Sequence, residues 1–382
     1  MNQLLKFKQE AIYMDCCLNE LGTFYGGLSG KTKEHFGTGD AKFVTYMNVF
    51  SNCIARKDQC ECVLISDDEK QNLVKKGDIL FTQSSETPEE VGMASIWTHD
   101  LDVYLNSFCF GFRVLDPKKT NPLYLTYLLR SPKYRQAISI EAQGISRYNL
   151  SSSRLSSLKL RLHSCEEQQK IAEFFTALDE KIRIHEQKLT KLISTKDSIL
   201  RKLFKQEIRL KDKDGSDFNP WIKVKIGDIL KVKHGKDYKH LSPGKIPVMA
   251  TSEAISYVDT ALCTWPCALI GRKGTIDKPQ FMDKPFWCID TLFYTKALGN
   301  HSPLFQYYLF QTIDWKKFNE GTGLPSLSAS TIESIQCSIP MEKEQHEIAN
   351  FLRIYDEKVK ICTKKIEALK QLKKAFMQRM FV

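Results

Sequence analysis

Three stretches of the chain come close to motifs with known chemistry, and each lacks a part that its chemistry needs. Tyr25-Gly26-Gly27-Leu28-Ser29-Gly30-Lys31-Thr32 ends like a phosphate-binding loop. Tyr25 holds the place of the first glycine, however, and the chain continues Lys33-Glu34-His35-Phe36-Gly37. An apolar helix should follow instead, to aim backbone N–H groups at a phosphate. Asn121-Pro122-Leu123-Tyr124 approaches the Asn-Pro-Pro-Tyr that grips the amino group of a flipped adenine. It lacks the second proline, and no glycine-rich cofactor loop follows a strand. Asn121 as N-cap with Pro122 at the first helical position is the simpler reading. Asp67-Asp68-Glu69-Lys70 carries a nuclease-like acid-x-Lys triplet, but no strand-borne second carboxylate stands nearby to complete a metal site. The eight histidines make no pair at ligand spacing. Twelve cysteines are scattered, and neither Cys60-Glu61-Cys62 nor Cys263 to Cys267 has zinc-site spacing, so reduced thiols are expected. No catalytic residue, metal ligand or bound cofactor is assigned to this chain.

Basic residues on glycine-bearing loops are the better lead, because they can reach phosphates or guanine edges. Lys31 and Lys33 follow Gly30; Lys233 and Lys236 flank Gly235; Arg272, Lys273 and Thr275 surround Gly274 after an apolar run. Arg147, Tyr148 and Asn149 follow Gly144, and Ser326 follows Gly321-Thr322-Gly323-Leu324-Pro325. These are the candidate DNA-binding residues. The net charge of +11 agrees with a polyanionic partner but is spread evenly along the chain, so it does not decide the matter.

What positions these loops is a duplication. Sliding the sequence by 177 residues lays Glu167-Gln168 on Glu344-Gln345, Ile171-Ala172 on Ile348-Ala349, and Asp179-Glu180-Lys181 on Asp356-Glu357-Lys358. Within each copy, steps of three and four place apolar residues on one narrow stripe. The first stripe includes Ile171, Phe175, Leu178, Ile182, Leu189 and Leu192; the second, Ile348, Leu352, Tyr355, Val359, Ile366 and Leu369. Lys196 and Lys373 interrupt the two stripes at matching places, where a polar residue can fix register or face a third partner. The Asp-Glu-Lys triplets are expected on the solvated outer face. Two helices of about 40 residues, each ~60 Å long, need a partner for such a stripe. The expectation is an intramolecular antiparallel coiled coil, with a parallel homodimeric coil as the alternative.

Upstream the repeat is looser. Leu18, Glu20, Leu21 and Gly27 align with Ile226, Asp228, Ile229 and Gly235 at a shift of 208. Gly144-Ile145-Ser146 is laid on Gly323-Leu324-Pro325, and Asn121-Pro122 on Ser302-Pro303. Strand-like stretches are read at Asp78–Thr82, Phe108–Leu115, Lys223–Val232 and Phe286–Tyr294, and short helices at Pro122–Arg130 and Pro303–Gln311. The fold class is therefore mixed α/β: domains at 1–163 and 207–340, long helices at 164–206 and 341–382. No run reaches the roughly 20 apolar residues that span a bilayer, and the N-terminus has no secretory pattern, so a cytoplasmic protein is expected.

With these features in place, the chain resembles the specificity subunit of type I restriction-modification systems. The resemblance rests on the duplicated Glu-Gln-x2-Ile-Ala openings at Glu167 and Glu344, on Gly27 to Gly37, and on Trp221 to Ile229. It implies two target-recognition domains, each reading half of a bipartite site in double-stranded DNA. It also implies that the helices set the spacing and dock two modification (methyltransferase) subunits. S-adenosylmethionine, ATP and Mg would belong to those subunits and to a motor-nuclease restriction subunit. The assembled complex would methylate adenine and cleave DNA at the expense of ATP. Trp221 has no counterpart near Ala11 to Leu18 in this reading. The competing hypothesis is a non-catalytic coiled-coil scaffold binding another protein.

Overall fold

The computed structural model describes residues 13–251 and 253–381; the stretch read above for a leader lies outside them. The chain divides into two compact units, one ending at His185 and resuming at Lys365, the other Glu186–Lys364.

In the first unit the main sheet has four strands in the order Gly22–Gly26, Cys109–Val114, Ile79–Thr82, Ala94–Ile96. A three-stranded sheet combines Cys60–Val63, Phe36–Val44 and Tyr104–Leu105, the last pair parallel. Met14–Cys17 pairs with Lys159–Leu162. The helix Pro122–Arg130 covers the main sheet and supplies Tyr124, Leu125, Tyr127, Leu128 and Leu129 to the core. Asn121 caps it, its side-chain oxygen accepting from the N–H groups of Leu123 and Tyr124. The motif is a helix start. Likewise Lys31-Thr32 leads into a single 3-10 turn at Lys33–His35, too short to hold a phosphate.

The second unit repeats these three sheets. Leu230–His234, Leu292–Ala297, Cys267–Gly271 and Gln280–Met282 form its main sheet. Ala254–Val258, Pro243–Met249 and Trp287–Cys288 form the three-stranded sheet, and Ile222–Lys225 pairs with Gln336–Ile339. Two strand expectations need correction. Lys223–Val232 is broken by a one-turn helix at Ile226–Ile229, because the Asp228 carboxylate accepts from the Lys225 N–H and buries Ile226 and Ile229. Phe286–Tyr294 is likewise two strands separated by a turn. The additional length of the first unit includes the helix Tyr46–Ser51, placed where the second unit has a short connection between Met249 and Ala254.

Tyr13, immediately before Met14–Cys17, stands where Trp221 stands before Ile222–Lys225, so the tryptophan does have an aromatic counterpart. Tyr13 packs on the His163 ring at 5.0 Å, and Trp221 donates to Glu344. The identity drifted while the place was kept.

The long helices run Cys165–Phe204 and Glu342–Met380. In the first unit the start of one meets the end of the other: Phe174 lies 5.0 Å from Phe376, and Phe175 stacks on Phe381 at 5.7 Å. In the second unit Leu200 and Leu203 share a core with Ile348, Ala349 and Leu352. The pair is antiparallel. Ile171, Phe175, Leu178, Ile182, Ile348, Leu352 and Ile366 are buried, and Leu189, Leu192, Tyr355, Val359 and Leu369 half-buried. Among the described residues no helix is long and apolar enough to cross a membrane.

The aspartates of the two triplets turn inward, whereas Glu180, Lys181, Glu357 and Lys358 face solvent as the sequence suggested. Asp179 accepts from the Tyr127 hydroxyl at 3.0 Å and pairs with the Lys373 ammonium at 2.6 Å. Asp356 does the same with Tyr308 and Lys196, both at 2.5 Å. Each ammonium also sits about 5.5 Å from the ring centroid of that tyrosine. The polar seam positions are thus satisfied inside each unit, and burial beside the carboxylate pushes both phenol pKa values well up.

Candidate nucleic-acid interface

One edge of each domain is held by the same set of backbone hydrogen bonds, and most of the sequence-selected residues lie on it. In the second domain the Lys236 N–H donates to Cys288 O at 2.8 Å, and the Arg272 N–H to Thr291 O at 2.8 Å. The Leu327 N–H donates to Arg272 O at 2.9 Å. Gly274, at φ +83°, lets the loop turn back, and its N–H donates to Pro325 O, while Lys273 bridges to Ser326. Gly271 makes room for this return, since a Cβ there would lie 2.1 Å from Thr275 O. Lys236, Arg272, Lys273, Thr275 and Ser326, far apart in sequence, therefore belong to one surface. Lys273 and Lys236 are exposed; Arg272 is half-exposed, one N–H on Asp290 O at 3.3 Å. Lys233 is exposed on the adjoining edge strand.

The first domain uses the equivalent bonds. Leu28 N–H donates to Leu105 O at 2.8 Å, Gln83 N–H to Phe108 O at 2.8 Å, and Leu150 N–H to Gln83 O at 2.8 Å. Tyr148-Asn149 pairs antiparallel with Ser84-Ser85. Arg147 is exposed, lies over the Phe108 ring at 5.7 Å and reaches Ser84 Oγ at 3.4 Å. Arg147, Tyr148 and Asn149 are thus brought together with Phe108 and Ser84.

Lys31 and Lys33 do not join this edge through any of these bonds. The Lys31 side chain is 1% exposed; its ammonium pairs with Glu69 at 2.5 Å and donates to Leu64 O. That bond, with Gln71 and the Ser66 N–H, holds the Glu69 carboxyl down at about 2. Lys31 serves to hold its loop. Lys33 is exposed on the following turn.

Sequence reasoning missed Phe108, Ser84 and Gln83. Phe108 is 55% exposed on a turn that Asn106 closes by accepting its N–H, and an aromatic in an Asn-Ser-Phe turn is the one signal available. Ser84 and Gln83 carry none, because only their pairing with Tyr148-Asn149 and Leu150 places them here. Among the described residues no group of three or more His, Cys, Asp or Glu could hold a metal ion. Cys263 and Cys267 lie with their sulfurs 3.8 Å apart, buried with Cys288 as part of the core.

Comparison with known proteins agrees with this layout. The model of the type I restriction modification DNA specificity domain matches residues 13–193 and again 219–371. A protein of Methanocaldococcus jannaschii, whose name assigns it as the MjaX specificity subunit of a type I restriction enzyme, is 22% identical over 350 residues, 81% of this chain and 80% of that one. The type I restriction enzyme MjaVIII specificity subunit of the same organism is 24% identical over 191 residues, 42% of each chain. A crystal structure of a type I restriction-modification system S subunit from M. genitalium superposes with a TM-score of 0.68 at 16% identity, covering 99% of this chain and 98% of that one.

Proposed function

The chain belongs to the type I restriction-modification DNA specificity family, and we propose that it selects the target of such a system by reading one half of a bipartite site with each domain. The observation that carries this is the edge just described: one hydrogen-bonded frame, built twice, presenting different side chains. A protein that must recognise two different half-sites with one docking geometry needs that combination.

Arg147, Asn149, Arg272, Lys273 and Ser326 are assigned to base edges or adjacent phosphates, Lys236 and Lys233 to the backbone, and Tyr148 and Thr275 to the support of their loops. Arg is suited to guanine O6 and N7, and Asn to adenine N6 and N7. The chemistry is assigned to partners. Two modification subunits would dock on the paired helices, whose twofold duplication offers two similar surfaces, and would supply S-adenosylmethionine and the methyl transfer. A restriction subunit would supply ATP-driven cleavage. The domains are taken as 1–163 and 207–340, with the helices between and after them. We place the complex in the cytoplasm, where twelve cysteines stay reduced.

Methylome sequencing of the host with and without this gene tests the reading. The expected result is one bipartite methylated motif that disappears with the gene. A motif that persists unchanged overturns it.

A further inference from the structure

We infer that residues 143–149 and 320–326 are a pair of reading fingers: loops closed by an equivalent backbone bond whose outward side chains determine what each half-site contains. This rests on the bipartite-reading proposal above and names the residues that carry it.

The two hairpins share one closing bond; the return bond runs from Asn149 N–H to Gln143 O in the first and from Ser326 N–H to the Asn319 side-chain oxygen in the second. Gln143 N–H donates to Asn149 O at 2.9 Å, and Glu320 N–H donates to Ser326 O at 2.9 Å. Gly144 and Gly321 occupy the same corner. A Cβ on Gly144 would lie 2.0 Å from Arg147 O, and one on Gly321 would lie 2.2 Å from Leu324 O, three residues on in both cases. Gly144 is further held at φ +139°, which a side chain rarely tolerates. Each hairpin is then anchored by the following leucine, Leu150 or Leu327, buried and bonded to Gln83 O or Arg272 O, just past an inner strand of the main sheet.

This geometry also corrects the alignment made from sequence. Gly144 corresponds to Gly321, not Gly323, at a shift of 177, the same shift that relates the long helices. The constant part of the repeat therefore begins at Gln143 and Glu320, well before the helices. Inside that constant stretch the fingertips differ: Ile145, Arg147 and Asn149 in one, Thr322, Leu324 and Ser326 in the other.

The tips are also presented rather than packed. Ile145 is 96% exposed and Leu324 64% exposed. A glycine-cornered hairpin that holds an aliphatic side chain in water gains nothing for the fold. Against DNA the same side chain can meet a thymine methyl or press on a base step. Ile145, Arg147 and Asn149 alternate along the chain, so a methyl contact, a guanine contact and an adenine contact are available to one finger. Beyond Glu320, whose carboxylate accepts from Ser328 and Thr331, the second finger carries no charge and offers hydroxyl and apolar contacts, with Arg272 and Lys273 docked beside it.

The test is a tip exchange in the full chain assembled with its modification subunits: Ile145→Thr, Arg147→Leu and Asn149→Ser, leaving Gly144 and the closures intact. Methylated sites are then read by sequencing. The expected result is a changed base preference at one to three positions of a single half-site, with the other half-site and the spacer unchanged. Discrimination at the Arg147 position is expected to fall about ten-fold. If the triple variant does not melt cooperatively, the single variants Ile145→Thr and Asn149→Ser are read in the same way. An unchanged half-site, or a uniform loss of methylation at all sites without any change of preference, overturns the finger assignment. The bipartite reading survives both of those outcomes. A wild-type complex that methylates no bipartite site defeats both.

Discussion

At the scale of single residues, the same side-chain type does different work according to where its charge is spent. Lys31 and Lys273 both sit by glycine in polar loops, yet Lys31 is buried against Glu69 while Lys273 is exposed at the docked edge. Lys31→Ala should therefore lower thermal stability by about 1 kcal/mol or more and leave the salt dependence of duplex binding unchanged. Lys273→Ala should leave the melting temperature alone and reduce the slope of log affinity against log salt by about one. Titrating fluorescent duplex at several salt concentrations, beside thermal melts, separates the two. The loss of a salt-slope unit on Lys31→Ala would contradict its internal role. Gly144→Ala is expected to open its finger, since the new methyl group cannot share space with Arg147 O; domain melting should persist while site-specific methylation drops.

At the scale of elements, the repeated helix openings are explained by what each polar residue joins. Gln168 accepts from the Asn121 N–H at 2.9 Å and donates to His163 O at 2.9 Å, tying the cap of the domain helix to the start of the long one. Gln345 does the same with Ser302 and Pro340. The carboxylates of Asp179 and Asp356 each join three elements: their own helix, the facing helix through a lysine, and the domain helix through a tyrosine. Asp179→Ala strips the partner from a buried phenol and a mostly buried ammonium. We expect it to cost about 1–3 kcal/mol in a denaturant melt. Lys373→Met should cost less, because its stem still packs and Tyr127 keeps its hydrogen bond to Asp179. An Asp179→Ala variant as stable as wild type would show that the triad is decorative.

At the scale of the whole molecule, duplication has been preserved where geometry must not change and relaxed where recognition must. If the helices set the distance between half-sites, inserting one heptad into each should lengthen the spacer. Seven residues add about 10 Å of helix, the rise of about three base pairs. Methylome sequencing of the insertion variant reads the spacer directly, and an unaltered spacer would remove the helices from that role.

The duplication, the antiparallel pairing of helices and the caps at Asn121 and Ser302 were legible without coordinates. The duplication and the caps depend on local periodicity and on interactions a few residues apart, which sequence records directly, and the antiparallel sense follows from the whole domain that connects the two helices. The family itself was recognisable from the helix openings for the same reason. What only the tertiary structure decided were the long-range partners: Glu69 for Lys31, Tyr127 and Lys373 for Asp179, and Ser84 and Phe108 for Arg147. A charge in a sequence has no direction, so Asp179 and Asp356 were expected outward with the rest of their triplets, whereas their partners draw these two in. The correct alignment of Gly144 with Gly321 was hidden for a related reason. Gly321 and Gly323 are equivalent as letters, and only the approach of a carbonyl oxygen distinguishes the glycine that the corner requires.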